Sequence, residues 1–282
     1  MANTIIKRVG GKSKMASWIR NLLPYHTVYC EPFGGSFSVG LSMPQPTGSN
    51  YRLVYNDSNE HVSNFFRVLR DHSSELKRVI ELSPYSRIDF QNSCDFIYNI
   101  NRKVISKKDI DPIEWARNYL IFNRQSFSGK EDGTWSVARE GENVAVTWAG
   151  LPLMISALAQ KLKGVYIECG DYSDVIKRWD SECTAIYCDP PYLGVEKDFY
   201  LPNKEDGFCH EDLANTLKSV KSSWAVSYYD SGYIRDLYKG YEFFTKEVKK
   251  HIQRTDKKSN IVEVLIVHKN LWSQQNEDSQ CF

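Results

Sequence analysis

The chain has 282 residues, 41% of them hydrophobic and 25% charged, with a net charge of +1. That balance excludes a disordered, collagen-like or low-complexity protein and leaves room for one large or two modest domains. No apolar run reaches the roughly 18 residues of a membrane span, the seven cysteines are odd in number and hold no C-x-x-C pair, and the six histidines form no H-E-x-x-H, so neither a membrane, a disulfide framework nor a metal site is expected.

The start, MANTIIKRVGGK, lacks a secretory apolar core, which predicts a cytoplasmic chain. Residues 1–30 carry Lys7, Arg8, Lys12, Lys14 and Arg20 and no acid. Gly10-Gly11-Lys12 lacks the spacing of a phosphate loop, but a glycine turn there can place one ammonium beside a small anionic ligand. A helix is predicted over Lys14 to Leu23 and a strand over Thr27 to Cys30. Glu31-Pro32-Phe33-Gly34-Gly35-Ser36 follows that strand. Its glycines would let a ligand approach the backbone, although a structural tight turn reads the same way. The next strand, Arg52 to Asn56, ends in Asn56-Asp57-Ser58-Asn59. An acid one strand beyond a glycine turn is where ribose hydroxyls are held in Rossmann-like sheets; a helix cap by Asp57 or Ser58 is the alternative.

A helix over Asn59 to His72 opens a stretch that breaks the alternation of strand and helix. Further helices are predicted over Glu75 to Leu82, Phe90 to Ile100 and Trp115 to Phe122, and a loop or hairpin over Gln125 to Val146. Residues 60–159 thus read as a helical insertion between segments 1–59 and 160–270. Strands at Gly164 to Cys169, Thr184 to Cys188, Trp224 to Tyr228, Tyr241 to Val248 and Ile261 to His268 then alternate with helices at Asp174 to Trp179, His210 to Val220 and Ser231 to Tyr238, which predicts a mainly parallel α/β sheet. Residues 239–258 carry seven Lys or Arg against three acids, a pattern suited to phosphates. Residues 271–282 read as a loose polar tail.

Asp189-Pro190-Pro191-Tyr192 directly follows the strand Thr184 to Cys188. Two prolines fix a rigid extended turn, so a carboxylate, backbone carbonyls and an aromatic face are held at the sheet edge where ligands bind. An amino group on a flat ring would find acceptors for both hydrogens in Asp189 and the Pro190 carbonyl, with Tyr192 stacked on the ring. A proline turn with a capping Asp is the bland alternative.

GGK, EPFGG, NDSN, a long insertion and DPPY, in that order, resemble the Dam-type DNA adenine-N6 methyltransferases over Ile6 to about Asn270. Phe122-Asn123-Arg124 with the later Gly129 and Gly133 is similar to the family's recognition segment. Gly170-Asp171-Tyr172 resembles its Asp-aromatic cofactor motif, and Glu263 lies in a strand resembling its closing hairpin. Two stretches depart from the pattern: Lys7-Arg8-Val9-Gly10-Gly11-Lys12 lacks the family's aromatic, and Thr134 to Ala138 replaces a Phe-Asn-Val-Pro-like ending. The resemblance implies a Rossmann-like methyltransferase sheet with one antiparallel terminal strand and an inserted target-recognition subdomain. It also implies S-adenosylmethionine as methyl donor and N6 of an adenine flipped out of double-stranded DNA as acceptor. The site residues it implies are Asp189, Pro190 and Tyr192 for catalysis. For the cofactor they are Gly11, Lys12, Phe33, Gly34, Asp57, Asp171 and Tyr172 together with Asp189, and for DNA they are Arg124, Lys130, Arg139 and Lys257. The same fold acting on cytosine N4 or an RNA base, or a non-catalytic DNA-binding module, are the rival readings. A restriction endonuclease partner is compatible with the sequence but not determined by it.

Overall fold

Short apolar runs set between glycine, proline and carboxylate turns become the strands of one sheet: β1 (Val28–Glu31), β2 (Arg52–Asn56), β3 (Tyr166–Glu168), β4 (Thr184–Cys188), β5 (Ser223–Tyr229), β6 (Glu242–Lys249) and β7 (Asn260–His268). The structure, a computed structural model, describes residues 4–8, 10–45, 50–127, 134–137, 141–193, 208–249 and 260–276. The strands lie in the order β3-β2-β1-β4-β5-β7-β6. From β3 to β5 every pairing is parallel. β7 runs antiparallel to both β5 and β6, between which it lies. The mainly parallel sheet with one antiparallel last strand is the architecture expected of the sequence.

Parallel strands need cover on both faces, and β1 and β4 are buried at every residue. Successive side chains enter opposite layers: Tyr29, Tyr55 and Tyr187 join one hydrophobic cluster, Cys30, Val54 and Ile186 the other. The second layer is closed by α8 (Tyr172–Trp179), α9 (His210–Ser219) and α10 (Gly232–Leu237), through Val175, Leu213 and Ile234. α1 (Ala16–Leu22), α2 (Glu60–Asp71), α3 (Ser73–Glu81), α4 (Arg87–Asn101), α5 (Pro112–Gln125), α6 (Val144–Ala149) and α7 (Leu151–Leu162) close the first. The helices between residues 60 and 159 therefore share one cluster with a face of the sheet. His61 ties three of them together, accepting from Trp115 Nε1 at 2.7 Å on Nδ1 and meeting Asn101 Oδ1 at 2.8 Å through Nε2.

Helix starts follow their caps. Asn59, Ser86 and Asp111 each accept a backbone N–H at the starts of α2, α4 and α5. The cap of α2 is Asn59 rather than Asp57 or Ser58, which releases Asp57 for bonds described below. α6 begins within the stretch read as a loop or hairpin, and α7 lies in the insertion beyond the helices predicted there. Pro152 sits in the first turn of α7, where its missing N–H leaves no bond unmade. After β7, α11 (Leu271–Gln275) starts at an Asn270 cap and holds Ser223 Oγ 2.9 Å from Ser273 Oγ. Among the described residues, no helix is long and apolar enough to cross a membrane.

Candidate active site at the carboxyl edge of the sheet

The carboxyl ends of β1, β2, β3 and β4 form one rim, at the point where the strand order departs in both directions from β1. Asn56, fully buried at the end of β2, knits three of these ends. Its Nδ2 donates to Pro32 O at 2.8 Å and Gly170 O at 3.1 Å, and its Oδ1 accepts from Gly170 N at 2.9 Å. Its own carbonyl accepts from Gly34 N at 2.7 Å. A Cβ at Gly34 would stand 2.3 Å from the Tyr55 ring, so only glycine lets the turn close down on β2. Asn56 was not among the expected site residues, although a polar residue closing an apolar strand is the signal that could have found it.

Asp57 staples the glycine turn from the other side. Its Oδ2 accepts from Gly35 N at 2.9 Å, its Oδ1 from Asn59 N at 2.8 Å, and Arg8 Nη2 stands 3.4 Å from Oδ2. Glu31 anchors the far side of the turn, accepting from Tyr29 OH at 2.7 Å and Gly40 N at 3.0 Å. Burial pushes the Glu31 carboxyl up to about 8, against the lowering effect of those two bonds.

Asp189 leaves β4 into the double-proline turn and meets Lys12. Gly10, at φ +78, bends the chain so that the Lys12 ammonium returns to Gly10 O at 2.9 Å. The same ammonium lies 2.9 Å from Asp189 Oδ1 and 3.0 Å from Glu263 Oε1 on β7. Tyr192 OH donates to Glu263 at 2.5 Å, and the Tyr192 ring lies under the ammonium, 4.8 Å from its centroid. Burial works against the Lys12 charge, but the two carboxylates outweigh it and hold its pKa above the ordinary lysine value. For Asp189 burial dominates and pushes the carboxyl up, Lys12 pulls it down and Glu263 pushes it up again. Lys12 was expected at the cofactor; its ammonium lies between Asp189 and Glu263. Glu263 was read only as part of a late strand. It is a carboxylate within the apolar run Ile261 to Val267 of β7, with side-chain exposure of 6%.

Phe33 and Tyr172 stack at 5.1 Å, and Phe208 stands 5.7 Å from each, which gathers three rings at the ends of β1, β3 and the start of α9. Asp171 caps α8 through Ser173 N at 2.9 Å and is otherwise exposed. Gly11 donates its N–H to Arg8 O at 3.2 Å, and Pro190 is buried behind Asp189.

The segment expected to read DNA is tied back to this edge. Asn123 Oδ1 accepts from Lys7 N at 2.8 Å while its Nδ2 donates to Lys7 O at 2.9 Å, a side chain acting as a β-partner for the N-terminal segment. Arg124 follows, half-buried, with burial lowering its pKa and Glu142 opposing. Ser126 and Trp135 form an antiparallel bridge, flanked by Phe127 N to Thr134 O and Ser136 N to Gln125 O, both 2.8 Å. The Arg87 guanidinium lies 4.7 Å over the Trp135 ring, and Phe127 is 59% exposed beside the bridge. Lys130, Arg139 and Lys257 lie outside the described residues, as do Gly129 and Gly133.

A sheet in this order, with a glycine turn after β1, a carboxylate staple after β2 and an acid-proline-proline-tyrosine turn after β4, defines a Rossmann-like methyltransferase acting on an amine. The chain belongs to the family of D12 class N6 adenine-specific DNA methyltransferases, whose model matches residues 9–252. It is 24% identical to the DNA adenine methylase of Haemophilus influenzae over 93% of this chain and 91% of that protein. It is 26% identical to the DNA adenine methylase of Vibrio cholerae over 93% and 94%, and 23% identical to the retron Ec67 DNA adenine methylase of Escherichia coli over 89% and 85%.

Proposed function

We propose that the chain methylates N6 of an adenine flipped out of double-stranded DNA, using S-adenosylmethionine, with Asp189, Pro190 and Tyr192 holding the target base. The observation that carries this reading is the adjacency of the Asp189 turn and the Phe33-Gly34 turn on neighbouring strands β4 and β1. A base inside a duplex cannot reach such a site, and extruding it costs about a few kcal/mol. When bound, the donor supplies an electrophilic methyl on a sulfonium. The residues present fit a nucleoside-bearing donor: the Phe33 and Tyr172 rings offer faces to a purine, and the turn held by Gly34 and Asp57 exposes backbone to the sugar and amino-acid parts. Asp171 lies beside Tyr172 for the same purpose, and Gly11 lines the turn that carries Lys12.

The amine lone pair of adenine is delocalised into the ring. Hydrogen bonds from that amine to the Asp189 carboxylate and the Pro190 carbonyl favour a pyramidal nitrogen aimed at the donor, an orientational and electrostatic contribution. Tyr192 supplies the ring face against which the base rests. Residues 60–159 serve as the target-recognition part. Arg124, Lys130 and Arg139 engage the duplex there, whereas Lys257 and its basic neighbours take phosphates. Incubation with labelled donor and duplex DNA, followed by nucleoside analysis, should yield N6-methyladenine. Label in cytosine or in RNA alone would reject the assignment.

A further inference from the structure

We propose that Glu263 is a positioning residue for methyl transfer: by sharing Lys12 with Asp189, it keeps the Asp189 carboxylate available to take first the hydrogen bond and then the proton of the target amine. This rests on the role given to Asp189 above. The geometry is a closed charge cluster. The Lys12 ammonium has three hydrogens and three acceptors, Gly10 O at 2.9 Å, Asp189 Oδ1 at 2.9 Å and Glu263 Oε1 at 3.0 Å. Side-chain exposure is 6% for Lys12 and Glu263 but 23% for Asp189, so the carboxylate that faces the open edge is Asp189.

A lysine alone would pair one-to-one with Asp189 and leave it a weak base. The second carboxylate divides the ammonium and gives the cluster an excess of one negative charge. Transfer uses that excess. The target nitrogen gains a carbon, the electron pair of the broken sulfur–carbon bond stays on sulfur, and the nitrogen is cationic until it gives up one of its two protons. Asp189 takes that proton and becomes neutral, while Lys12 keeps Glu263 as counter-ion. After that step Lys12 and Glu263 remain as a charge-balanced buried pair. Among the described residues, the other ionisable groups around the cluster are Glu31 on β1, Tyr187 on β4, Tyr192 after it, Tyr229 on β5, and Lys246, which stands opposite Glu263 in the register of β6 and β7. Burial keeps the tyrosines protonated, and Lys246 lies 5.2 Å over the Trp18 ring.

The test compares Glu263→Gln, Lys12→Met and the double variant with the wild type. Infrared difference titration of the protein alone follows the carboxyl band that disappears in Asp189→Asn. Its midpoint should fall by about one pH unit in Glu263→Gln, rise in Lys12→Met, and in the double variant lie below that of Lys12→Met. Single-turnover methylation of duplex DNA should slow by roughly 10-fold to 150-fold in Glu263→Gln, the loss of one charge-assisted hydrogen bond, with donor affinity within about twofold of wild type. An unmoved Asp189 midpoint, or transfer at the wild-type rate, overturns the proposal. Should Glu263→Gln fail to fold, Glu263→Asp keeps the charge but withdraws it by one methylene, and both shifts are expected with the same sign. A wild-type protein that leaves adenine unmethylated would reject the functional reading instead, while the titration order still judges the cluster.

Discussion

Asp189 and Asp57 are both carboxylates at strand ends, yet their surroundings attach different consequences to their loss. Removing Asp189 leaves Lys12 with Glu263, an intact ion pair, so Asp189→Ala should fold and bind donor while single-turnover methylation falls by at least ~100-fold. Near-wild-type transfer would remove Asp189 from the chemistry. Removing Asp57 strips two backbone donors, Gly35 N and Asn59 N, of their acceptor. Asp57→Ala should therefore cost about 1–3 kcal/mol of stability and weaken donor binding by roughly 10-fold to 150-fold. Calorimetric titration with unchanged affinity would leave Asp57 a staple of the turn and nothing more. Glu31 makes a pH-dependent case. Its carboxyl is held up at about 8 by burial, above the ordinary value near 4.3, so the folded state binds the proton more tightly than the unfolded one. That contribution is complete below about pH 4 and is lost as pH rises through 8, at a slope of at most ~1.4 kcal/mol per pH unit. Glu31→Gln cannot ionise, so its stability relative to wild type should improve steadily from pH 5 to 8.5 in urea unfolding. A constant difference across that range would contradict the buried neutral carboxyl.

At the scale of elements, Asn123 clamps the end of α5 to the backbone of Lys7 and the Ser126–Trp135 bridge ties down the chain just beyond it, so Arg124 stands on a fixed base. Arg124→Ala should lower discrimination between cognate and mismatched duplexes by about 1–3 kcal/mol. Lys257→Ala should instead weaken all duplexes alike and flatten the salt slope by about one unit. Equal loss on both duplexes for Arg124→Ala would place that residue among the phosphate contacts. The strands were legible in the sequence because a doubly covered parallel sheet is built from apolar runs that end in Gly, Asp or Pro. The glycine turn and the Asp189 turn were legible for the same reason, each being a local motif. α6 and α7 were not, because Pro152 reads as a breaker until one knows that it lies in a first turn. Nor was the link from Lys12 to Glu263, since a pairing between opposite ends of a chain leaves no local pattern at either. Asp57 was legible as important, but whether it capped a helix or stapled a turn depended on Asn59 taking the cap.

For the molecule as a whole, the near-neutral charge of +1 means that no general field draws in DNA. On the proposed function, attraction comes from placed side chains, Lys257 and its basic neighbours among them. The strand order has a second consequence, which concerns the order of assembly. β7 is synthesised after β6 but lies between β6 and β5. A chain that has emerged only to residue 249 has an unpaired edge at β5 and no lasting neighbour for β6. It also lacks Glu263, so Lys12 has only Asp189 to pair with. A ribosome-stalled chain of that length should be cut in β6 by a protease that spares the full chain, and should transfer no methyl groups; a protected β6 would show that it docks without β7. On the role proposed for Glu263, the closing strand completes both the sheet and the charge cluster at Asp189, so the full rate of methyl transfer is reached only after the translated chain has passed Glu263.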